Sequence, residues 1–187
     1  MASVIVITGP SGVGKGTLIR ALRERLPGLR LAISATTRDP RPGERDGVDY
    51  HFLTPEEFER QLQDGAFVEH AEYSGRRYGT LRSELERGLK TSPAVLLEIE
   101  VQGARQVRDA IPGAMLVFIA PPDEQALEDR LRRRKTDSEQ QIARRLAIAR
   151  TELAARDEFE HVVVNGDLGQ AADELADLVG RELGAGR

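Results

Sequence analysis

Residues 3–18 of the chain read SVIVITGPSGVGKGTL. An apolar, β-branched segment leads into a glycine-rich turn, and a helical pattern begins at Lys15. A strand, a glycine turn and a helix in this order are the layout of a phosphate-binding loop. Glycine lets the backbone N–H groups point inward, where they and the positive end of the helix bind phosphate oxygens. We therefore predict that a nucleoside triphosphate binds here, with Lys15 contacting its β- and γ-phosphates.

The loop departs from the pattern G-x-x-x-x-G-K-[ST] at one position. Gly16 stands where a serine or threonine hydroxyl normally coordinates magnesium, and Thr17 follows with a hydroxyl shifted by one residue. A dinucleotide-binding fingerprint would need glycine at position 17, so that alternative is weaker. The residues predicted to contact the triphosphate are Gly9, Pro10, Ser11, Gly12, Val13, Gly14, Lys15, Gly16 and Thr17.

Length and composition describe an ordinary single-domain protein. The 187 residues are 40% hydrophobic and 31% charged, and the net charge of −4 does not favour nucleic acid as a partner. The chain has no cysteine, which excludes disulfides and thiolate metal sites and is compatible with a reducing cytoplasm. No apolar run approaches membrane-spanning length. We expect a cytoplasmic protein, a monomer or small homo-oligomer, with no membrane partner.

Beyond the loop, continuous apolar strands alternate with amphipathic helices. This pattern predicts an α/β fold with a doubly wound parallel sheet, and it places the phosphate loop at the carboxyl ends of the strands. Polar loops and short mixed elements interrupt the pattern, which predicts an inserted α+β subdomain at about 36–90 in a core formed by 1–35 and 91–187. The predicted strands are 4–7, 29–33, 50–53, 65–70, 95–99, 115–120 and 161–164. The predicted helices are 15–26, 55–63, 81–89, 102–110, 123–133, 138–156 and 170–183.

The polar loop TRDPRPGERDGVD, residues 37–49, carries Arg38, Arg41 and Arg45 just after the second predicted strand. The planar guanidinium group makes bidentate, charge-assisted hydrogen bonds to phosphate. A solvated surface loop is the alternative interpretation. We favour a second phosphate site, because the loop leaves the sheet at the end that carries the phosphate cradle.

These motifs together resemble the guanylate kinases, a family of ATP-dependent nucleoside monophosphate kinases. The resemblance covers nearly the whole chain. It is carried by the phosphate loop and by SATTRDPRPGERDGVDYHF (34–52), FVEHAEYSGRRYGT (67–80), LEIEVQG (97–103), RRRKTDSEQQIARRL (132–146) and VVVNGDL (162–168). It implies ATP and Mg²⁺ as donor and cofactor, and phosphorylation of GMP, with dGMP as a further acceptor, to the diphosphate.

The resemblance also assigns roles in the acceptor site. The positions that hold the GMP phosphate are Arg38, Arg41, Tyr50 and Tyr78. Those that read guanine are Ser34, Glu69 and Thr80. A single carboxylate such as that of Glu69 can accept both the ring N–H and the exocyclic amine of guanine. Adenine presents a lone pair at that edge and would leave the carboxylate unpaired.

Glu98 and Glu100 end a predicted strand two residues apart, so we expect both carboxylates on the same face. The resemblance implies that Glu98 and Thr17 lie near magnesium, directly or through water, and that Glu100 lies near the acceptor nucleotide. Exposed strand-end acids are the alternative.

A helical lid at about 130–150 is also implied by the resemblance. Its arginines Arg130, Arg134 and Arg145 match positions that reach the transferring phosphate. Without the family context, an arginine-rich helix end is more often a solvated face or a nucleic-acid patch. Asn165 matches a position near the adenine of ATP, and ordinary turn chemistry explains it equally well.

The sequence argues against three other functions. A different small acceptor such as ribose 1,5-bisphosphate is disfavoured by the residues that match guanine-reading positions. A non-catalytic interaction module would have lost the phosphate loop, which this chain keeps. A switch GTPase would carry an N-K-x-D motif, and the chain has none.

Overall fold

The computed structural model describes residues 2–133 and 139–185. The strands are β1 (Ser3–Thr8), β2 (Leu29–Leu31), β3 (Ala35–Thr36), β4 (His51–Phe52), β5 (Phe67–Tyr73), β6 (Arg76–Leu81), β7 (Ala94–Glu98), β8 (Met115–Ala120) and β9 (His161–Val164). The helices are α1 (Lys15–Arg25), α2 (Pro55–Gln63), α3 (Arg82–Thr91), α4 (Val101–Ala110), α5 (Glu124–Arg133), α6 (Glu139–Ala154) and α7 (Leu168–Ala185).

The larger sheet has five parallel strands in the order β2-β7-β1-β8-β9. Alternate residues of the central strand enter different cores, because successive side chains point to opposite faces. Ile5 and Ile7 pack with residues of α1 and α7, whereas Val4 and Val6 pack with residues of α3 and α4. Helices therefore cover both faces, and the predicted α/β fold with a doubly wound parallel sheet is confirmed.

The smaller sheet has four strands in the order β4-β3-β6-β5. The β3–β4 pair is parallel, whereas β6 runs antiparallel to both β3 and β5. It has a small core of its own, in which the rings of Phe58 and Phe67 stack with their centroids 4.4 Å apart. Helix α2 begins as predicted, since Thr54 caps it in a capping box with Glu57 and Pro55 occupies the first turn.

The sequence did not reveal β3 and β6. The segment RRYGTL of β6 has no alternation of apolar and polar residues, and its extended conformation comes from pairing with strands on both sides. The predicted strands 50–53 and 65–70 correspond to β4 and β5 with shifted ends, and the predicted strand 29–33 ends two residues early. The predicted helix 138–156 is α6 followed by a short 3₁₀ turn at Arg156–Glu158; residue 138 lies outside the described ranges.

The phosphate loop leaves the carboxyl end of β1 at the middle of the parallel sheet. Gly9 adopts a φ of 138°, and a Cβ there would lie 2.2 Å from the Ile119 carbonyl oxygen, so only glycine fits. Gly14 at the N-cap of α1 has a φ of 97°. These two glycines bring the loop against β8 and direct α1 away from it. None of the described helices is both long and apolar enough to cross a membrane.

Candidate active site

A cleft of about 590 Å³ lies between the phosphate loop and the smaller sheet. Most of the site residues predicted from the sequence line it. They are Pro10, Ser11, Gly12, Gly14, Lys15, Gly16, Thr17, Ser34, Arg41, Tyr50, Glu69, Tyr78, Glu98, Glu100 and Arg145. The two halves of the predicted site, far apart in sequence, therefore face each other across one space.

Lys15 is folded back over the phosphate loop. Its side chain is buried, and its Nζ donates hydrogen bonds to the Gly9 carbonyl at 2.6 Å and to the Pro10 carbonyl at 3.4 Å. The first turn of α1 opens towards the cleft behind Gly14, which has no side chain to cap the helix N–H groups. The loop thus presents an ammonium and a helix N-terminus to the same anion site.

Arg130 and Asn165 hold the phosphate loop from outside the cleft. The Asn165 Nδ2 donates to the Val13 carbonyl at 2.8 Å, and the Arg130 Nη1 donates to the same carbonyl at 2.9 Å. The Arg130 Nη2 also donates to the Asn165 carbonyl at 2.6 Å. In this arrangement the two side chains support the backbone of the loop, and their roles at phosphate and adenine stay predictions. Arg134 lies outside the described residues.

Helix α6 contacts the phosphate loop at Ser11 through two side chains. The Arg145 Nη2 donates to the Ser11 hydroxyl at 2.9 Å, and the Glu152 Oε2 accepts a hydrogen bond from the Ser11 N–H at 3.2 Å. Burial, together with the neighbouring carboxylate of Glu100, raises the pKa of Glu152 to about 8. Sequence reasoning missed Glu152. Its spacing of seven residues from Arg145, two helical turns on one face, is a signal that could have indicated it.

Glu98 and Gly16 meet at the place where the common loop pattern has a hydroxyl. A Cβ at Gly16 would lie 3.6 Å from both carboxylate oxygens of Glu98. Burial raises the pKa of Glu98, while the charge of Lys15 opposes that shift. Glu98 and Thr17 both line the cleft. Their carboxylate and hydroxyl groups supply oxygen ligands, which magnesium prefers. The residues present therefore fit a magnesium ion at the triphosphate.

Glu100 does not continue the strand as expected. Strand β7 ends at Glu98, and Glu100 is the N-cap of α4. Its extended backbone still keeps its side chain at the cleft, where Glu98 also lies. The two carboxylates thus share the cleft although they belong to different elements.

Arg38 is held rigidly beside the acceptor half of the cleft. Its guanidinium makes a two-bond contact with Glu44, at 2.6 Å and 2.7 Å, and its Cζ lies 4.6 Å from the centre of the Tyr50 ring. Glu44 also accepts the backbone N–H of Arg41 at 2.7 Å. The hydrogen bonds from Arg38 and Arg41 lower the pKa of Glu44 to about 2. Sequence reasoning did not include Glu44 in the site, although it lies in the segment SATTRDPRPGERDGVDYHF (34–52) that carries the family resemblance.

Glu69 is a buried carboxylate that faces the cleft from β5. It is 3% exposed, and the Thr80 hydroxyl on the paired strand donates to its Oε1 at 2.8 Å. Burial raises the pKa of Glu69 to about 7, although the bond from Thr80 opposes the shift. A buried carboxylate with one partner can accept further N–H donors from a ligand, which is the chemistry that guanine requires.

Several known proteins are similar to this chain over most of its length. The family model described as guanylate kinase matches residues 1–182. A guanylate kinase from Synechocystis sp. is 53% identical over 179 residues, which are 96% of this chain and 94% of that protein. One from Thermosynechococcus vestitus is 56% identical over 165 residues, with 88% and 86% of the two chains covered.

A solved structure shows the same fold. The crystal structure of guanylate kinase from Anaplasma phagocytophilum matches with a TM-score of 0.79 at 31% sequence identity, covering 97% of this chain and 86% of that one. The phosphate loop, the cleft shared by two sheets and the near full-length matches lead to one assignment: the chain belongs to the guanylate kinase family.

Proposed function

We propose that the protein transfers the γ-phosphoryl group of ATP to GMP and releases ADP and GDP. Membership of the guanylate kinase family supports this activity. The observation that connects this activity to specific residues is that one cleft is lined by both the phosphate loop and the buried carboxylate of Glu69. A donor triphosphate and an acceptor base would thereby be bound within reach of each other.

The donor half would act by position and charge. Phosphoryl transfer needs its reactants held in line and the charge of the moving group neutralised, with little covalent chemistry from the protein. The loop N–H groups and Lys15 would hold the triphosphate, and Glu98 and Thr17 would hold magnesium, whose charge offsets that of the phosphates. No general base is required, because the acceptor phosphate is already an oxyanion.

The arginines from the lid at about 130–150 complete this half of the proposal. Arg145 lines the cleft beside Ser11, and we propose that it contacts the transferring phosphate. We propose the same role for Arg134 and, after release from the Val13 and Asn165 carbonyls that it contacts, for Arg130. Closure of this segment would exclude water that otherwise hydrolyses ATP.

The acceptor half would supply the specificity. Arg38, Arg41, Tyr50 and Tyr78 would bind the GMP phosphate. Ser34, Glu69 and Thr80 would read the base. These three residues are assigned to the base and not to the sugar, so we propose dGMP as a second acceptor. Glu100 would lie against the acceptor nucleotide, and Asn165 would lie near the adenine of ATP.

We propose the cytoplasm as the location, with which the cysteine-free composition is compatible. A monomer or small homo-oligomer without nucleic-acid or membrane partners stays our prediction. The division into core, insertion and lid is likewise a proposal, supported by the separate small core under the second sheet.

A coupled assay of ADP release tests the activity. GMP, dGMP, AMP and ribose 1,5-bisphosphate are offered in turn with ATP and magnesium. We expect GMP and dGMP to be used and AMP to be rejected by roughly 10⁴-fold or more, because adenine leaves the Glu69 carboxylate unpaired. Preference for ribose 1,5-bisphosphate would contradict the proposed acceptor.

Lys15→Ala should lower kcat on the order of 10²–10³, as removal of one preorganised donor does in other enzymes. The measurement is steady-state turnover at saturating ATP and GMP. Lys90→Ala is the matched control, since Lys90 is an exposed lysine on α3. Turnover of Lys15→Ala close to that of the control would exclude the role given to Lys15.

Use of GMP should depend on pH through Glu69. The carboxylate must be ionised to accept two donors, and burial raises its pKa to about 7. Protonation therefore competes with GMP below that pH, and kcat/KM for GMP should fall by about tenfold per pH unit there. The control is Glu69→Gln, which should use GMP poorly and lose this part of the pH profile. An identical profile in the variant would assign the titration to another group.

Gly16→Ser should be tolerated. A Cβ at this position has only ordinary contacts, at 3.6 Å from the Glu98 oxygens, and the new hydroxyl restores the common magnesium ligand. We expect folding and turnover within a few fold of the parent, with activity saturating at lower magnesium. Gly14→Ser is the contrasting variant. A side chain at its φ of 97° is strained, and the new Cβ would lie only 2.9 Å from the Asn165 amide nitrogen. Loss of turnover in Gly16→Ser would mean that the glycine itself is required.

A further inference from the structure

Glu69 lies on an edge strand. The order β4-β3-β6-β5 leaves β5 with a strand neighbour on one side only, and that neighbour is β6. The backbone groups on the other edge need different partners, and without them the strand is less well fixed. The Glu69 carboxylate must lie within hydrogen-bond distance of two donors of the base. Its backbone therefore needs to be fixed more firmly than pairing with β6 alone would fix it.

Gln106 of α4 takes the place of the missing strand. Its Oε1 accepts the backbone N–H of His70 at 3.0 Å, and its Nε2 donates to the His70 carbonyl at 2.6 Å. One amide side chain therefore makes both hydrogen bonds that a residue of a neighbouring strand would make. His70 directly follows Glu69, so the contact fixes the backbone next to the carboxylate.

The same face of α4 makes room for the Glu69 side chain. Gly103 precedes Gln106 by three residues, and a Cβ at Gly103 would lie 2.2 Å from the Glu69 Oε2. Helix α4 thus offers a gap for the carboxylate and, one turn later, an amide that holds the adjoining backbone. The N-cap of the helix, Glu100, lines the cleft. Helix α4 therefore connects β5, the strand that carries Glu69, to the cleft.

We infer that Gln106 is a positioning residue for guanine recognition: its two hydrogen bonds to His70 fix the edge strand that carries Glu69. The inference rests on the proposed reading of guanine by Glu69. It assigns to Gln106 no contact with substrate. Loss of the amide should let the carboxylate drift from the two donors of guanine, with the strand otherwise in place through β6.

The test compares GMP with inosine monophosphate, whose base keeps the keto oxygen and ring N–H but lacks the exocyclic amine. Gln106→Met keeps the length of the side chain and removes both hydrogen bonds. We expect kcat/KM for GMP to fall about tenfold, mainly through KM, because a displaced Glu69 carboxylate would lose about one hydrogen bond's worth of contact with guanine. The ratio of kcat/KM for GMP to that for inosine monophosphate should fall as well, and KM for ATP should not change.

Gln102→Met is the matched control. Gln102 is an exposed glutamine on the same helix, and only its backbone carbonyl contacts Gln106, at 3.4 Å. This variant should have the same kcat/KM as the parent protein for both GMP and inosine monophosphate. Gln106→Glu adds a nearly isosteric comparison. It can still accept the His70 N–H but has no donor for the carbonyl, so it too should lose the preference for GMP. It also serves if Gln106→Met does not fold.

Thermal stability, measured alongside, separates positioning from simple stabilisation. A lowered melting temperature in the Gln106 variants, with an unchanged ratio of kcat/KM for GMP to that for inosine monophosphate and an unchanged KM for GMP, would overturn the inference.

Glu69→Gln distinguishes this failure from failure of the proposed function. If Glu69→Gln keeps the preference for GMP over inosine monophosphate, the role of Glu69 is wrong and the inference falls with it. If it loses the preference while Gln106→Met keeps it, the inference alone is wrong. The double variant should lose no more of the ratio than Glu69→Gln alone, because the two residues act on one contact.

Discussion

The close approach of Gly9 to the Ile119 carbonyl is the constraint on which the site depends. It seats the phosphate loop between β1 and β8, at the carboxyl ends of parallel strands, where no side chain would fit. From that position the loop directs α1 across one face of the sheet, and its N–H groups open into the cleft. Arg130 and Asn165 then fix the outer side of the loop through the Val13 carbonyl. The anion site is thus built from backbone first, with charged side chains added around it.

Several parts of this structure could be predicted from sequence because their causes are local. The phosphate loop is one continuous segment, and the central parallel strands β7, β1 and β8 are mostly apolar runs buried on both faces. The start of α2 depends on Thr54, Pro55 and Glu57, which are neighbours in the chain. Strand β6 could not be predicted in this way, since its polar sequence becomes a strand only through its partners.

The residues that sequence reasoning missed act across long separations. Glu152 contacts Ser11 from 141 residues away, and Gln106 contacts His70 from 36 residues away. Gln106 carries no local pattern that distinguishes it from an exposed helical side chain, and the one local signal for Glu152 is its spacing of two helical turns from Arg145. Glu44 is different, because it lies within the segment 34–52 that carries the family resemblance. Its partner is another protein side chain, Arg38, and not a ligand, so a search for ligand contacts does not select it. Motif reasoning looks for contacts with substrate, whereas these three residues act on the protein.

The pairing of Arg38 with Glu44 changes the charge balance of the acceptor site. The two side chains form a pair with no net charge. If Arg38 binds the acceptor phosphate as proposed, it would offer a fixed direction for hydrogen bonds and little added positive charge. The countercharge for a dianion must then come from elsewhere, and Arg41 is the arginine of this loop that lines the cleft. In the proposed site, two arginines three residues apart would therefore have different roles, with Arg38 supplying orientation and Arg41 supplying attraction over distance.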